Sequence, residues 1–373
     1  MFFREVVGQN EIKQRLIKSV TEERISHAQL FSGPEGTGKL AMAIAYAQYI
    51  SCRNRTETDS CGVCPSCHKY QKLAHPDLHF VFPIFNLKNQ KPVCDDFLPQ
   101  WREMVNRSPY FELSDWLEHI DAGNAQGEIY ERESESILRK LNLKSFESEF
   151  KVMIIWLAEK MNKACSNKLL KMIEEPPNKT LFLLITENEE SVISTIRSRA
   201  QLVKFPFIDK VSIKEALMKR EGINEELIQD AVHLSNGSFI RALEYINPGE
   251  DEQFFFIKFQ EMMRQAYKRE VLEQVRWAEE MARIGRDKQK AFFNFALRLV
   301  REYFVMNMKQ SSMVYLNREE KDWGTRFAPF INERNIIPFA SEFELAIKHI
   351  SANGNPRIIF LDTALRMVRL IKR

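Results

Sequence analysis

Apolar residues in the first half of the chain follow two spacings. Ile12–Val20 (IKQRLIKSV) sets them at helical intervals, and Leu40–Tyr49 continues as an alanine-rich helical run. Between these, Ala28–Phe31 reads as a short buried strand leading into a glycine turn. Val152–Leu157 and Leu181–Thr186 are further unbroken apolar runs, the mark of strands covered on both faces. A helical stretch separates them, and Pro176–Pro177 ends it, because proline disfavours helix in the residue before it. Strands alternating with helices predict an α/β fold with a parallel sheet flanked by helices. The second half is helical throughout. Ile213–Tyr245 is interrupted only at Gly237, and beyond Pro248–Gly249 the pattern is helical nearly to the end. Phe292, Phe295, Ala296, Leu299 and Tyr303 share one face, and Ile358, Leu361, Leu365 and Val368 repeat that arrangement. Boundaries are expected near 206 and 249, dividing the chain into 1–206, 207–248 and 249–373. Phe85–Gly127, rich in Asn, Pro, Trp and acids, fits no element and reads as an insertion.

Composition narrows the function. The 27 Phe and only 13 Gly among 373 residues suit long helices better than a turn-rich β protein. Lys and Arg total 54 against 51 Asp and Glu, so the net charge of +3 gives no polybasic footprint. That argues against a protein that coats nucleic acid unaided. No run approaches the about 20 apolar residues of a membrane helix. Met1–Glu5 lacks the apolar stretch of a signal peptide, so a soluble, cytoplasmic protein is expected.

Gly33-Pro-Glu-Gly36-Thr-Gly38-Lys39-Leu40 follows G-x-x-x-x-G-K-[ST] except at its last position. Such glycines let backbone N–H groups cradle phosphates, the lysine reaches the β/γ oxygens, and the hydroxyl binds Mg²⁺. A leucine at position 40 holds no metal. A phosphate-loop ATPase also needs an acid at the end of a later strand to hold Mg²⁺. Val152–Leu157 ends in Trp156-Leu157 where the acidic pair would stand, and Glu159 is expected to face elsewhere. The rival strand, Leu181–Thr186, is followed by Glu187-Asn-Glu-Glu190. The three losses together indicate a nucleotide-binding fold without hydrolysis, in which Gly33, Gly36, Gly38 and Lys39 are candidate contacts for ATP or ADP.

Of the six cysteines, Cys52, Cys61, Cys64 and Cys67 fall within a short segment (about 50–70) as C-x₈-C-x₂-C-x₂-C. Tight C-x₂-C turns present paired thiolates, and four sulfurs satisfy tetrahedral Zn²⁺ with no open position, which makes the ion structural. An Fe–S cluster is the weaker alternative. His68 and His75 are expected as surface residues, and Cys94 and Cys165 have no assigned role. Thr195-Ile-Arg197-Ser198-Arg199-Ala200-Gln201 offers an arginine beside the core, a residue type that stabilises a transferring phosphate in cis or in trans.

These motifs occur in a specific order. Val7-Gly8-Gln9, His27–Lys39, the cysteine module, His75-Pro-Asp-Leu78, Leu169–Pro177, Thr195–Gln201 and Asn353-Gly-Asn-Pro-Arg357 follow one another along almost the whole chain. In this the chain resembles the δ′ branch of the bacterial DNA polymerase III clamp-loader family of AAA+ proteins. The resemblance implies an AAA+ module with a zinc knob, a helical lid (207–248) and a helical C-terminal collar (249–373). It also implies assembly with γ/τ and δ subunits into a five-membered ring that loads a sliding clamp onto primed DNA. In that branch the nucleotide site is typically defunct. The family's Ser-Arg-Cys motif falls on Ser198-Arg199-Ala200, making Arg199 the finger for a neighbour's ATP site, with alanine in place of cysteine. Arg241 matches the lid arginine that senses the γ-phosphate in active relatives. The 85–127 insertion exceeds the family's usual link. A γ/τ-like motor with its own ATPase is the alternative reading, and a stand-alone zinc-bearing DNA-binding module is a third.

Overall fold

A computed structural model describes residues 1–87, 90–123, 125–177, 179–220, 222–247, 250–308 and 314–371. The chain forms two compact units, Met1–Ala242 and Leu243–Arg373. The first contains α1 (Asn10–Thr21), β1 (Ala28–Ser32), α2 (Lys39–Ser51), α3 (Pro65–Gln71), β2 (Leu78–Val81), α4 (Leu98–Arg107), α5 (Leu113–His119) and α6 (Glu131–Asn142). It continues with β3 (Lys151–Trp156), α7 (Lys163–Glu174), β4 (Thr180–Thr186), α8 (Ser194–Arg197), β5 (Gln201–Lys204), α9 (Lys210–Met218) and α10 (Glu225–Leu234). The division between the units falls inside α11 (Phe239–Ile246).

The five strands are parallel in the order β2-β3-β4-β1-β5. Every residue of β1, β3 and β4 is buried, as continuous apolar strands require when helices cover both faces. The registers pair Ser32 with Thr186 and Trp156 with Ile185. The loops leaving β1, β3 and β4 therefore emerge side by side at the carboxyl edge of the sheet, where open α/β sheets bind ligands. β2 and β5 were not foreseen. Each is only four residues long, and β5 (QLVK) buries only Val203, so neither carries the apolar run that marks the central strands.

The 85–127 insertion is not a loose loop. It contains α4 and α5, is clasped by an Ile84–Glu128 antiparallel bridge, and drives aromatic side chains onto the sheet. Trp101 stacks on Phe82 at 4.3 Å and meets Trp116, Phe111 and Trp156 with centroids 5.2, 5.7 and 5.3 Å away. The Trp116 indole N–H donates to the Pro83 carbonyl at 2.8 Å, so this tryptophan is both buried and satisfied.

The second unit is helical: α12 (Glu250–Lys268), α13 (Val271–Met281), α14 (Arg286–Asn307), α15 (Arg318–Phe327), α16 (Ile336–Ser351) and α17 (Pro356–Leu370). Phe292, Phe295, Ala296, Leu299 and Tyr303 all enter its core, as their spacing predicts. The reading of α17 requires correction. Its core face is Ile359, Phe360, Ala364 and Met367, while Ile358 and Leu365 are 65% and 38% exposed. Leu361 and Val368 pack only at the core's edge. Helical spacing identifies a shared face but does not say which face is turned inward, and α17 carries apolar residues on both.

Candidate functional site

The glycine loop sits between β1 and α2, the placement a phosphate loop needs. Gly36 and Gly38 take φ of +74° and +83°, a left-handed conformation that disfavours side chains. Lys39 is buried. Its ammonium donates to the carbonyls of Gly33 and Pro34 at 2.7 and 2.6 Å, so the loop itself occupies the group that would grip a phosphate. Burial lowers the Lys39 amine to about 8, against the pull of Glu187, Glu35 and Glu159. Leu40 is buried within α2, whose residues are all buried, and offers no ligand atom.

The acidic surroundings correct the expectation for Glu159, which does not face elsewhere. Its Oε1 accepts the Glu187 N–H at 3.0 Å, and its charge acts on Lys39. Burial raises Glu187, which follows β4; Lys39 draws it back down, and the charges of Glu159 and Glu112 add to the rise. Glu112, from the insertion, is raised by burial and by Asp115, shares a hydrogen bond with Glu35 of the loop, and feels Arg241. Trp156 and Leu157, at the strand end where metal-holding acids would stand, are buried, and Trp156 packs on Trp101 and Phe111. Tyr110 and Glu112 were invisible to motif reading: they lie in a segment without periodicity, and only the fold brings them to the loop.

The four clustered cysteines come from three local structures. Cys52 caps the end of α2, Cys61 lies in the following loop, and Cys64 and Cys67 begin α3. Their sulfurs all lie within 4.8 Å of one another, and Cys61 and Cys67 are 3.9 Å apart. A tetrahedron with Zn–S of about 2.3 Å has sulfur edges of about 3.8 Å, so the cluster has the size a metal needs. The N–H groups of Cys61 and Cys67 point at Cys52 Sγ and Cys64 Sγ, at 3.3 and 3.5 Å. Such donors favour thiolate. At Cys64 they outweigh burial and bring the thiol to about 6.

The neighbouring histidines differ. His68 is exposed as expected, but His75 is buried, which corrects the surface assignment. Its Nδ1 accepts the Asp77 N–H at 3.2 Å, and its ring lies 4.7 Å from Tyr70. The Asp77 carboxylate accepts from the N–H groups of Phe146, Glu147 and Ser148 at 2.7 to 2.8 Å. Burial opposes this charge, but the three donors hold Asp77 below the usual carboxylate range. The His75–Leu78 motif is thus a fastening between the cysteine module and the chain entering β3. Cys94 is buried against Glu133, which accepts its N–H at 2.6 Å, and Cys165 lies in the first turn of α7, where its N–H donates to the capping Asn162 Oδ1 at 2.8 Å.

Arg199 follows the one-turn helix α8 and is 38% exposed. It pairs with Glu174 at the end of α7 and donates to the Thr195 carbonyl at 3.0 Å. Arg241 is also exposed; its backbone N–H lies 3.5 Å from Ser238 Oγ. Among the described residues no helix is long and apolar enough to cross a membrane.

Comparison with known sequences follows this geometry. Residues 8–209 match the family model described as DNA polymerase III, delta subunit. DNA polymerase III subunit delta' of Bacillus subtilis is 27% identical over 275 residues, covering 68% of this chain and 70% of that protein. The subunit delta' of Haemophilus influenzae is 29% identical over 227 residues, with 61% and 57% covered. DNA polymerase III subunit gamma/tau of Mycobacterium tuberculosis is 28% identical over 234 residues, and the match spans 62% of this chain and 33% of that longer relative.

Proposed function

The chain belongs to the DNA polymerase III delta subunit family, and we propose that within it the protein is a non-hydrolysing clamp-loader subunit of the δ′ kind. In this role it joins γ/τ and δ subunits in a hetero-pentamer that places a sliding clamp on primed DNA. The observation that carries the reading is the state of the phosphate loop. Lys39 is bound by its own loop carbonyls, and Leu40, Trp156 and Leu157 leave the Mg²⁺ positions apolar. Metal-dependent phosphoryl transfer needs charged ligands there.

The subunit then acts on a neighbour. Arg199 supplies the positive charge, and its ion pair with the half-exposed Glu174 is of the kind worth about 0–1 kcal/mol. Exchanging Glu174 for a partner's phosphate is therefore inexpensive. Cys52, Cys61, Cys64 and Cys67 hold Zn²⁺ as a closed structural site that ties α2 to α3. The exposed Ile358 and Leu365 of α17 support a role for the second unit in assembly.

The test is reconstitution with γ/τ and δ subunits, a sliding clamp and primed DNA. Arg199→Ala should lower clamp- and DNA-stimulated ATPase on the order of a thousandfold at the affected site, with the complex still assembled. Undiminished turnover sinks the trans-acting role. The acids near Lys39 favour a second reading, a γ/τ-like motor with its own activity. ATP hydrolysis by the isolated chain, lost in Lys39→Met, would establish it.

A further inference from the structure

The 85–127 insertion has no part in the reading above, yet it ends against the phosphate loop. The phenol of Tyr110 is the point of contact. A side chain at Gly38, the residue capping α2, would sit 3.0 Å from the Tyr110 hydroxyl. That helix terminus is where the phosphates of a nucleotide would bind. The same hydroxyl accepts the Val7 N–H at 2.9 Å, and the ring meets Phe239 edge-on at 4.9 Å. Phe239 in turn donates its N–H to the Gly36 carbonyl at 3.0 Å, and a side chain at Gly36 would collide with Ser238 Oγ at 2.0 Å. Val7, Gly38 and Phe239 lie in three segments distant in sequence, and Tyr110 touches all three.

We propose that Tyr110 is a built-in substitute for nucleotide, closing the phosphate-loop site and adding a shared contact to the 7–9, 36–40 and 237–240 segments, which also meet through Gln9 Nε2 donating to the Thr37 carbonyl at 3.2 Å and the Phe239 N–H donating to the Gly36 carbonyl. Two features beside it work in the same direction. Glu112, two residues on, hydrogen-bonds Glu35 of the loop, so the insertion reaches the phosphate loop at a second point. Trp101 and Phe111 of the same insertion cover Trp156, so the metal side of the site is filled with rings. The insertion makes the closed arrangement independent of ATP, which suits a subunit that stays in one state while its neighbours cycle. This inference deepens the non-hydrolysing reading and rests on it.

The test uses the full chain. Thermal unfolding with millimolar Mg²⁺-ATP should show no stabilisation of the wild type, because a ligand raises stability only if it binds the folded state. Hydrogen exchange of Tyr110→Ala should rise on the order of tenfold or more in 7–9, 36–40 and 237–240 together. Tyr110→Phe keeps the ring and removes the acceptor, so faster exchange should be confined to Val7; it carries the test should the alanine variant not fold. Faster exchange confined to 108–112 in Tyr110→Ala, or an unchanged Val7 in Tyr110→Phe, overturns the proposal. ATP-dependent stabilisation of the wild type without turnover overturns it too, while leaving the non-hydrolysing reading in place. Stabilisation with turnover removes both.

Discussion

Lys39→Met separates a relic lysine from a working one through its effect on stability. In a functioning phosphate loop the lysine is matched by phosphate; here its ammonium donates to the Gly33 and Pro34 carbonyls, and burial lowers it to about 8 from 10.5 in spite of the opposing charges of Glu187, Glu35 and Glu159. The unfolded chain therefore holds this proton more tightly than the folded one. Between those two values unfolding takes up a proton, so the Lys39 contribution to stability rises with pH; below about 8 it is flat and unfavourable. Integrating between pH 7 and pH 10 gives a difference of about 2.5 kcal/mol. Methionine has no proton to exchange and nearly the same length. At pH 7 its effect is small, because relief of a buried charge is offset by two unsatisfied carbonyls at about 1–3 kcal/mol each. Urea unfolding of wild type and Lys39→Met across this range reads the lysine together with its coupling to Glu187, which Lys39 draws down. The wild type should gain about 2.5 kcal/mol on the variant as the pH rises from 7 to 10. Parallel pH profiles would refute the claim that burial outweighs the neighbouring acids at this lysine, and so the account of the loop as closed.

Two other perturbations address the remaining parts. Cys64→Ser should release one equivalent of zinc per chain and lower thermal stability, because a closed metal site contributes its binding energy to the fold; metal analysis and a melting curve read both effects. Ile358→Glu should leave the monomer's melting temperature nearly unchanged, since the side chain is 65% exposed, while weakening association with γ/τ and δ subunits in gel filtration. Unimpaired assembly would remove α17's exposed face from the interface.

What could be read along the chain depended on whether the physics was local. The three central strands, the phosphate loop and the cysteine cluster carry their signal within a few residues, and the structure shows the strands, the loop's setting and the clustered sulfurs. β5 fails this test because an edge strand needs no apolar run. Ile358 and Leu365 mislead because a helix with apolar residues on two faces has two equally good periodic readings. Glu159 was misplaced because its orientation is set by a hydrogen bond to Glu187, on a different strand's loop. The insertion was opaque for the same reason: Trp101, Phe111 and Tyr110 have no repeat among themselves, and they acquire meaning from Trp156, Val7 and Gly38, which are far away in sequence.

On the proposed non-hydrolysing reading, the apolar side chains of Leu40, Trp156 and Leu157 and the packed insertion are physically one arrangement. A Mg²⁺-nucleotide site must keep carboxylates and a hydroxyl partly dry yet charged, which is costly unless the metal and phosphates are present to compensate. On that reading, a site without metal ligands would leave Lys39 facing Glu35, Glu159 and Glu187 in a polar crevice that disfavours phosphate. Filling that crevice with Tyr110, Phe111 and Trp101 converts it to packed apolar surface, and each ring contributes through burial and edge-on contacts. On this account the order of substitution matters. Restoring Leu40→Thr and Trp156→Asp alone should yield no ATP binding, because the acceptor space is still occupied and the new aspartate would be buried under Trp101 without a partner. Calorimetric titration of that double variant with Mg²⁺-ATP distinguishes a site that has merely lost its ligands from one that has been filled, and measurable binding would favour the former.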